Sequence, residues 1–208
     1  MEVKGLNGAH TFVPRAILKK DGIVRMDKFF LDKNDTALLI IDIQERLAVV
    51  MEKKDQVLKN CLHLIELAKM QNIPIVVTEQ YPRGLGRTVP EIQAALPEYR
   101  PIEKTAFNCC GEPAFLAEIK KLNRRKIIVT GMETHICVLQ TSLGMLADGW
   151  HVHLPQDAVC SRTKANWRAG VGFIDAAGGV ATCTETVLFQ LLGVAGTEEF
   201  KKISQRIK

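Results

Sequence analysis

Short apolar runs alternate with longer amphipathic stretches along most of this chain. Continuous apolar runs, which suit strands buried on both faces of a sheet, occur at residues 36–42, 74–79, 126–131, 150–155 and 180–182. The stretches between most of these runs carry apolar residues at helical spacing and are long enough to form α-helices. The alternation predicts repeated β-α-β units and a parallel sheet, which is the α/β class.

The same pattern predicts where the helices and the domain boundary fall. Helices are expected at residues 54–70, 112–122, 134–148, 164–177, 185–192 and 197–207. No linker rich in Pro, Gly or Ser interrupts the chain between residues 35 and 193, so one domain at 35–208 is the simplest account. Residues 1–34 lack a clear period, and we interpret them as an N-terminal arm.

Composition excludes several classes of partner. The net charge of +5 is spread over separate basic clusters, and only 6% of the 208 residues are aromatic, so no nucleic-acid partner is expected. No apolar stretch is long enough to cross a membrane, and the first residues lack the apolar core of a secretory signal. We therefore expect a cytoplasmic protein without a membrane partner.

The six cysteines do not form a recognisable metal or disulfide pattern. Thiols of cytosolic proteins stay reduced, and no Cys-x-x-Cys spacing or zinc-finger histidine pair is present. A structural zinc site is not expected. The adjacent pair Cys109 and Cys110 could have a redox role, although packing is the simpler interpretation.

Two residues near the predicted strand ends could carry chemistry, because ligands bind beyond the carboxyl ends of parallel strands, and a lysine elsewhere in the chain could join them. Cys137 lies where a strand turns into a helix, and the positive helix end favours a thiolate; an inert, buried cysteine is the alternative. Asp42 ends the first strand and could be a catalyst or a helix cap. Lys104 could pair with Asp42, although an isolated lysine is more often exposed.

The histidines are weaker candidates. His135 is two residues before Cys137, so the two side chains would not face each other on a helix. His151 and His153 share a strand face and could bind a metal, but no third ligand lies nearby. We expect these two histidines at a solvated strand end.

Several stretches resemble the isochorismatase-like cysteine hydrolases. The matching stretches are residues 37–44, 104–107, 129–138 and 152–158, and they combine a Gly-x-Glu-x-x-x-Cys spacing with an upstream aspartate and lysine. The loop at 78–91 is similar to that of the subgroup called isochorismatase domain-containing proteins. The resemblance implies a three-layer α/β/α fold with a roughly six-stranded parallel sheet, of the open Rossmann type.

The resemblance also implies the roles of site residues. Cys137 would be the nucleophile, Asp42 the general base and Lys104 the charged partner that orients them. A cis peptide would precede Glu133, and the turn formed by Met132, Glu133 and Cys137 would direct backbone N–H groups at an oxyanion.

Substrate binding is assigned to four residues in the same stretches: Gln44, Gln80, Tyr81 and Phe107. Nicotinamidases of this superfamily carry an Asp-x-His metal site after the second strand, whereas residues 78–82 here contain no histidine. We therefore predict no catalytic metal and no other cofactor.

These expectations favour a cysteine-dependent hydrolase that cleaves a small amide, ureido or related C–N substrate through a thioester. Two alternatives stay open: a catalytically silent scaffold or binding protein, and a hydrolase of an isochorismate-type vinyl ether. Isochorismatases proper lack the cysteine, so Cys137 disfavours the vinyl ether. The expected partners are a small-molecule substrate and, from the family, further copies of the same chain.

Overall fold

Two units make up the structure, which is a computed structural model that describes residues 17–19, 22–24 and 26–208. The chain divides into Met1–Phe30 and Leu31–Lys208. Much of the predicted N-terminal arm falls outside the described residues, and its end at residue 34 stays a prediction. The candidate chemistry lies in the second unit.

The first unit contains an antiparallel pair of short strands, β1 (Ile17–Lys19) and β2 (Gly22–Val24). A 3-10 turn at Met26–Phe29 follows them. The sequence pattern had indicated no strand in this segment.

A parallel sheet of seven strands organises the described part of the second unit. Its strands are β3 (Thr36–Ile41), β4 (Ile75–Gln80), β5 (Ile102–Lys104), β6 (Lys126–Met132), β7 (His151–Pro155), β8 (Val159–Cys160) and β9 (Val180–Thr182). The order is β5-β4-β3-β6-β7-β9, and β8 pairs with the end of β6. Six strands therefore form a continuous path, as predicted, and β8 is an addition.

Strand β3 lies at the centre and sets the register of the site. All of its residues are buried, as its continuous apolar run predicted. Ile41 pairs with Thr78 of β4 on one side and with Gly131 of β6 on the other. The next residue, Asp42, therefore emerges between the carboxyl ends of two neighbouring strands.

Helices cover both faces of the sheet. They are α1 (Glu45–Ala48), α2 (Lys54–Met70), α3 (Pro82–Leu85), α4 (Pro90–Ala95), α5 (Pro113–Lys121), α6 (Leu139–Ala147), α7 (Lys164–Ala176), α8 (Thr184–Leu192) and α9 (Glu198–Ile207). Successive residues of β3 alternate between two apolar clusters: Leu38 and Ile40 pack with α2, α8 and α9, whereas Leu39 and Ile41 pack with α5, α6 and α7. The three-layer α/β/α prediction is thus confirmed.

Two local predictions differ from the structure. The stretch 134–148 is not one α-helix, because a π-helical segment at Thr134–Val138 precedes α6. His153 is buried with 1% of its surface exposed, so the expected solvated strand end is wrong for this histidine. Its strand is covered on both faces.

None of the helices in the described part of the chain has the length and apolar character that a membrane crossing requires.

Candidate active site

An ion pair between Asp42 and Lys104 forms the floor of the candidate site. Asp42 follows β3 with a left-handed backbone conformation, φ 52°. The Nζ of Lys104, at the end of β5, donates to Oδ2 of Asp42 at 2.8 Å, and both side chains are fully buried. Burial, the largest effect, lowers the pKa of Lys104, but the Asp42 carboxylate together with the Cys109 and Cys137 thiols raises it, and the net shift is upward. Lys104 is therefore held in its charged form.

Strand β4, which separates β3 from β5, supplies the hydrogen bonds that orient this pair. The Thr78 hydroxyl donates to Oδ1 of Asp42 at 2.7 Å. The Gln80 side-chain oxygen accepts from Nζ of Lys104 at 2.6 Å. Both carboxylate oxygens of Asp42 thus have a defined donor, which fixes the orientation of the group.

Cys137 lies next to this pair, in the π-helical segment after β6. Its residue surface is 5% exposed. Burial raises the pKa of the Cys137 thiol, the Asp42 carboxylate and a hydrogen bond to it raise it further, and Lys104 opposes the shift. The structure therefore brings Asp42, Lys104 and Cys137 into one site.

The direction of this pKa shift corrects one expectation. The sequence position suggested that the positive end of a helix would favour a thiolate at Cys137. In the structure the thiol is desolvated and faces a carboxylate, and both effects favour the protonated form. The resting site consequently favours a neutral thiol beside the Asp42–Lys104 pair.

A close approach of the two central strands holds these groups together. Gly131 has φ 117°, and a Cβ built on it would lie 1.9 Å from the carbonyl oxygen of Ile41. Only glycine tolerates both conditions. The strand that leads to Cys137 can therefore lie directly against the strand that leads to Asp42.

The turn between β6 and Cys137 contains the cis peptide that was expected there. The peptide bond between Met132 and Glu133 is cis. The Glu133 carboxylate accepts hydrogen bonds from the backbone N–H of Arg162 at 3.0 Å and from its Nε at 3.2 Å. The backbone N–H of Glu133 is the group expected to face an oxyanion. Its role toward an oxyanion stays a prediction.

The four predicted substrate-binding residues divide into two pairs. Gln44 is fully buried: its Nε2 donates to the carbonyl oxygens of Gln80 and Gly86, and its Oε1 accepts from the N–H of Gln80. The Gln80 side chain contacts Lys104 and donates to the carbonyl oxygen of Thr105. Both amides therefore brace the protein, which corrects the interpretation of Gln44 and Gln80 as groups available to a substrate.

Tyr81 and Phe107 remain candidates for substrate contact. Tyr81 directly follows Gln80, whose side chain contacts Lys104, and Phe107 lies shortly after Lys104 in the chain. The two residues are 55% and 52% exposed, respectively. Exposed aromatic rings beside a buried polar site can provide apolar contact for a ligand. Their role stays a prediction.

Sequence reasoning missed Thr78, and it pointed to Glu79 only as a residue at a strand end, without a role. Both are fully buried, and both are polar residues at the carboxyl end of β4. The rule that ligands bind beyond strand ends pointed to this position, but only the structure shows that Thr78 contacts Asp42.

A cavity of about 570 Å³ lies at the same edge of the sheet but away from the ion pair. Its lining includes Cys160, Ser161, Trp167 and Cys183, and none of Asp42, Lys104 and Cys137 belongs to it. Within the described residues, no group of three or more His, Cys, Asp or Glu side chains could hold a metal ion.

Comparisons with known proteins agree with this architecture. The Isochorismatase domain family matches residues 36–186. Isochorismatase domain-containing protein 2 of Bos taurus is 33% identical over 172 residues, 82% of each chain. A structure described as MAR1 ribonuclease from Caenorhabditis elegans is 34% identical with a TM-score of 0.80, and covers 86% of this chain and 92% of its own.

A further solved structure is YcaC from Pseudomonas aeruginosa, determined with hexane-2,5-diol and covalent acrylamide. It is 26% identical with a TM-score of 0.80, over 85% of this chain and 91% of that chain. The chain belongs to the isochorismatase-like hydrolase family and, within it, to the subgroup of isochorismatase domain-containing proteins. The family and subgroup predicted from the sequence are thus confirmed.

Proposed function

We propose that the protein is a cysteine-dependent hydrolase that cleaves a small amide, ureido or related C–N bond through a thioester. The observation that carries this proposal is the contact between the buried Asp42–Lys104 ion pair and the thiol of Cys137. A protonated thiol is a weak nucleophile and needs an adjacent base. Asp42 is such a base, and the charged Lys104 donates a hydrogen bond to it.

The chemistry follows from these three groups. Asp42 accepts the thiol proton as the sulfur of Cys137 attacks the substrate carbonyl carbon. Backbone N–H groups of Glu133 and Cys137 stabilise the negative oxygen of the tetrahedral intermediate. The C–N bond then breaks, the leaving nitrogen takes the proton from Asp42, and an acyl thioester remains on Cys137.

Water completes the cycle. Asp42 accepts a proton from a water molecule as the water attacks the thioester carbonyl. The carbon–sulfur bond breaks, the sulfur recovers the proton from Asp42, and the carboxylic acid product leaves. The cycle involves no metal and no redox cofactor, because the acid, the base and the nucleophile are all side chains.

The related YcaC structure is described with covalent acrylamide, which nucleophiles attack at its carbon–carbon double bond; this supports a reactive nucleophile in that protein but does not identify an amide substrate. The subgroup membership does not distinguish among amides. The substrate is therefore proposed by chemical class.

The test is hydrolysis of a panel of small amides and ureido compounds by the wild-type protein, Cys137→Ala and Cys160→Ala. Both cysteines are buried, so the second variant is a matched control. We expect loss of turnover of about a thousandfold or more in Cys137→Ala and none in Cys160→Ala. Equal activity of Cys137→Ala and the wild type would refute the proposal.

The panel should include two further substrates, because the family contains other chemistries. A vinyl ether tests the isochorismatase alternative, and an RNA oligonucleotide tests the activity named for the C. elegans relative. Cleavage of either one that survives Cys137→Ala would replace the amide proposal. A folded wild-type protein that turns over nothing in the panel, and whose Cys137 acrylamide never modifies, would favour the scaffold.

We also propose that the protein forms a homo-oligomer. The exposed aromatic side chains of Tyr81 and Phe107 beside the site support this, since exposed apolar groups are commonly covered by a partner. Light scattering at two protein concentrations tests it, and a monomer mass at both would contradict it.

A further inference from the structure

The loop at residues 81–89 starts and ends at the candidate site. The N–H of Tyr81 donates to the carbonyl oxygen of Lys104 at 2.8 Å, and the N–H of Val89 donates to the carbonyl oxygen of Ile43 at 2.9 Å. The two attachment points are thus Lys104 itself and the residue after Asp42. The shape of this loop therefore determines what lies beside the ion pair.

Glu79 is the main attachment of the returning half of the loop. Its Oε1 accepts from the N–H of Thr88 at 2.6 Å and from the Thr88 hydroxyl at 2.8 Å, and it also accepts from the Tyr99 hydroxyl. Its Oε2 accepts from Nη1 of Arg87 at 3.0 Å. A carboxylate without any exposed surface is costly unless it is paired and hydrogen-bonded, and here the loop supplies most of the donors.

Strand geometry separates this role from the catalytic one. Successive side chains of a strand point to opposite faces. Thr78 and Gln80 contact Asp42 and Lys104, respectively, whereas Glu79, which lies between them, contacts the loop. At the end of this strand, Thr78 and Gln80 therefore orient the ion pair, and Glu79 holds the loop.

Two outer contacts complete the attachment. Arg87 also pairs with Glu103 at 2.5 Å, but both of these side chains are more than half exposed, so this second pair should contribute little by itself. Gln44 donates to the carbonyl oxygen of Gly86 at 2.7 Å. The buried anchor is Glu79, and the exposed Glu103 provides a natural control.

We infer that Glu79 is a positioning residue that holds the loop at residues 81–89 in the shape of a substrate-site wall, and thereby determines substrate affinity. The inference rests on the proposed function for its kinetic part. Glu79 touches no reacting atom, so its removal should weaken substrate binding much more than it slows the chemical steps. Its effect on the loop itself does not depend on the identity of the substrate.

The test compares Glu79→Gln with Glu103→Gln in the full chain. Both variants remove one carboxylate that Arg87 contacts, but only the first removes the buried anchor. In Glu79→Gln we expect amide hydrogen exchange at residues 84–89 to accelerate about tenfold or more, with no change at residues 36–41. In Glu103→Gln we expect no change in either segment.

The kinetic readout uses any amide that the wild-type protein hydrolyses. Glu79→Gln should raise KM about tenfold while kcat falls less than about threefold, and Glu103→Gln should leave both unchanged. If kcat falls as far as in Asp42→Asn while KM is unchanged, or if loop exchange equals that of the wild type, the inference is wrong.

The two readouts separate this inference from the proposed function. Faster loop exchange in a protein that hydrolyses no amide supports the anchor and refutes the function. If Glu79→Gln does not fold, Tyr99→Phe removes a single donor to the same carboxylate, and a smaller increase in exchange at residues 84–89 is then expected. Wild-type exchange in a folded Tyr99→Phe would overturn the inference in that case.

Discussion

Two sites at the carboxyl edge of one sheet each contain a buried thiol, in different surroundings. In the first, Cys137 lies beside Asp42 and Lys104. In the second, the cavity of about 570 Å³, the buried Cys160 lines the wall together with the exposed Cys183. Burial first, and Glu133 second, raise the pKa of Cys160 to about 12, and no cation is among these causes.

The comparison shows that the neighbours of a thiol indicate chemistry better than the space around it. The second thiol lines a cavity, but both a base, Asp42, and an opposing cation, Lys104, act on the pKa of Cys137, whereas no cation acts on that of Cys160. A nucleophile needs somewhere for its proton to go. The predictions below test whether the first site depends on these neighbours as the structure indicates.

The largest effect is expected from removing the buried cation. Lys104→Met leaves the Asp42 carboxylate unpaired and fully buried, which should cost about 3–5 kcal/mol of the free energy of unfolding and abolish turnover. Lys53→Met is the control, because the Lys53–Glu52 pair is exposed and its change should stay within about 0.5 kcal/mol. Urea unfolding measures both. Similar free energies of unfolding for the two variants would show that the Asp42–Lys104 ion pair does not stabilise the first site.

A smaller loss of stability and turnover is expected from Thr78→Val, which removes the hydroxyl that donates to Asp42. A hydrogen bond to a charged group contributes about 1.5–3 kcal/mol, and turnover should fall as the carboxylate loses its orientation. Thr36→Val is the matched control: it is also a fully buried threonine on a strand, and within the described residues its hydroxyl has no hydrogen-bond partner. That variant should be neutral or stabilising, and the opposite ranking would contradict the assigned contact.

The next prediction tests the segment that carries Cys137. A Cβ at Gly170 of α7 would lie 2.8 Å from the carbonyl group of Thr134, so Gly170→Ala should shift the π-helical segment and cost about 1–3 kcal/mol. At Gly172 of the same helix nothing lies within 4 Å, and Gly172→Ala should stabilise by about 0.5–1 kcal/mol. Thermal unfolding and turnover distinguish them. If Gly170→Ala keeps full activity, the position of the segment does not matter.

The smallest expected effect is a change in the rate of Cys137 alkylation. In the same variant, Asp42→Asn, this rate should rise while the rate of amide turnover falls. Asp42 raises the pKa of Cys137 and Lys104 lowers it, so Asp42→Asn should lower this pKa and increase the thiolate fraction at neutral pH. Alkylation of Cys137 by iodoacetamide should then become several-fold faster, while amide turnover falls because the base is lost. Mass spectrometry follows both Cys137 and the exposed Cys183, whose labelling should not change. Slower alkylation of Cys137 would show that Asp42 does not face the thiol.

Much of this architecture could be predicted from hydrophobic pattern, and the reasons for the failures are physical. Long apolar runs identified β3, β4 and β6, and their strand ends located Asp42 and Cys137. The strand at Ile102–Lys104 is too short to show a period. The π-helical segment carries the same amphipathic pattern as an α-helix, so pattern cannot distinguish them.

The electrostatics of the site needed coordinates. The sequence places Cys137 near a helix start, but the degree of burial and the adjacent carboxylate decide the pKa of its thiol. In the same way Gln44 looked like a substrate ligand, because its partners at Gln80 and Gly86 are remote in the chain. Contacts of this kind leave no periodic signal.

The two-ended attachment of the loop at residues 81–89 has a practical consequence for changing specificity. A loop transplanted from another member of the family would need a hydroxyl and a guanidinium to satisfy the buried Glu79, and a backbone carbonyl within reach of the Gln44 amide. Grafts that respect these three docking points can vary everything between them. Grafts that ignore them would leave the buried Glu79 carboxylate without the donors that the loop supplies, and we expect such grafts to destabilise the protein.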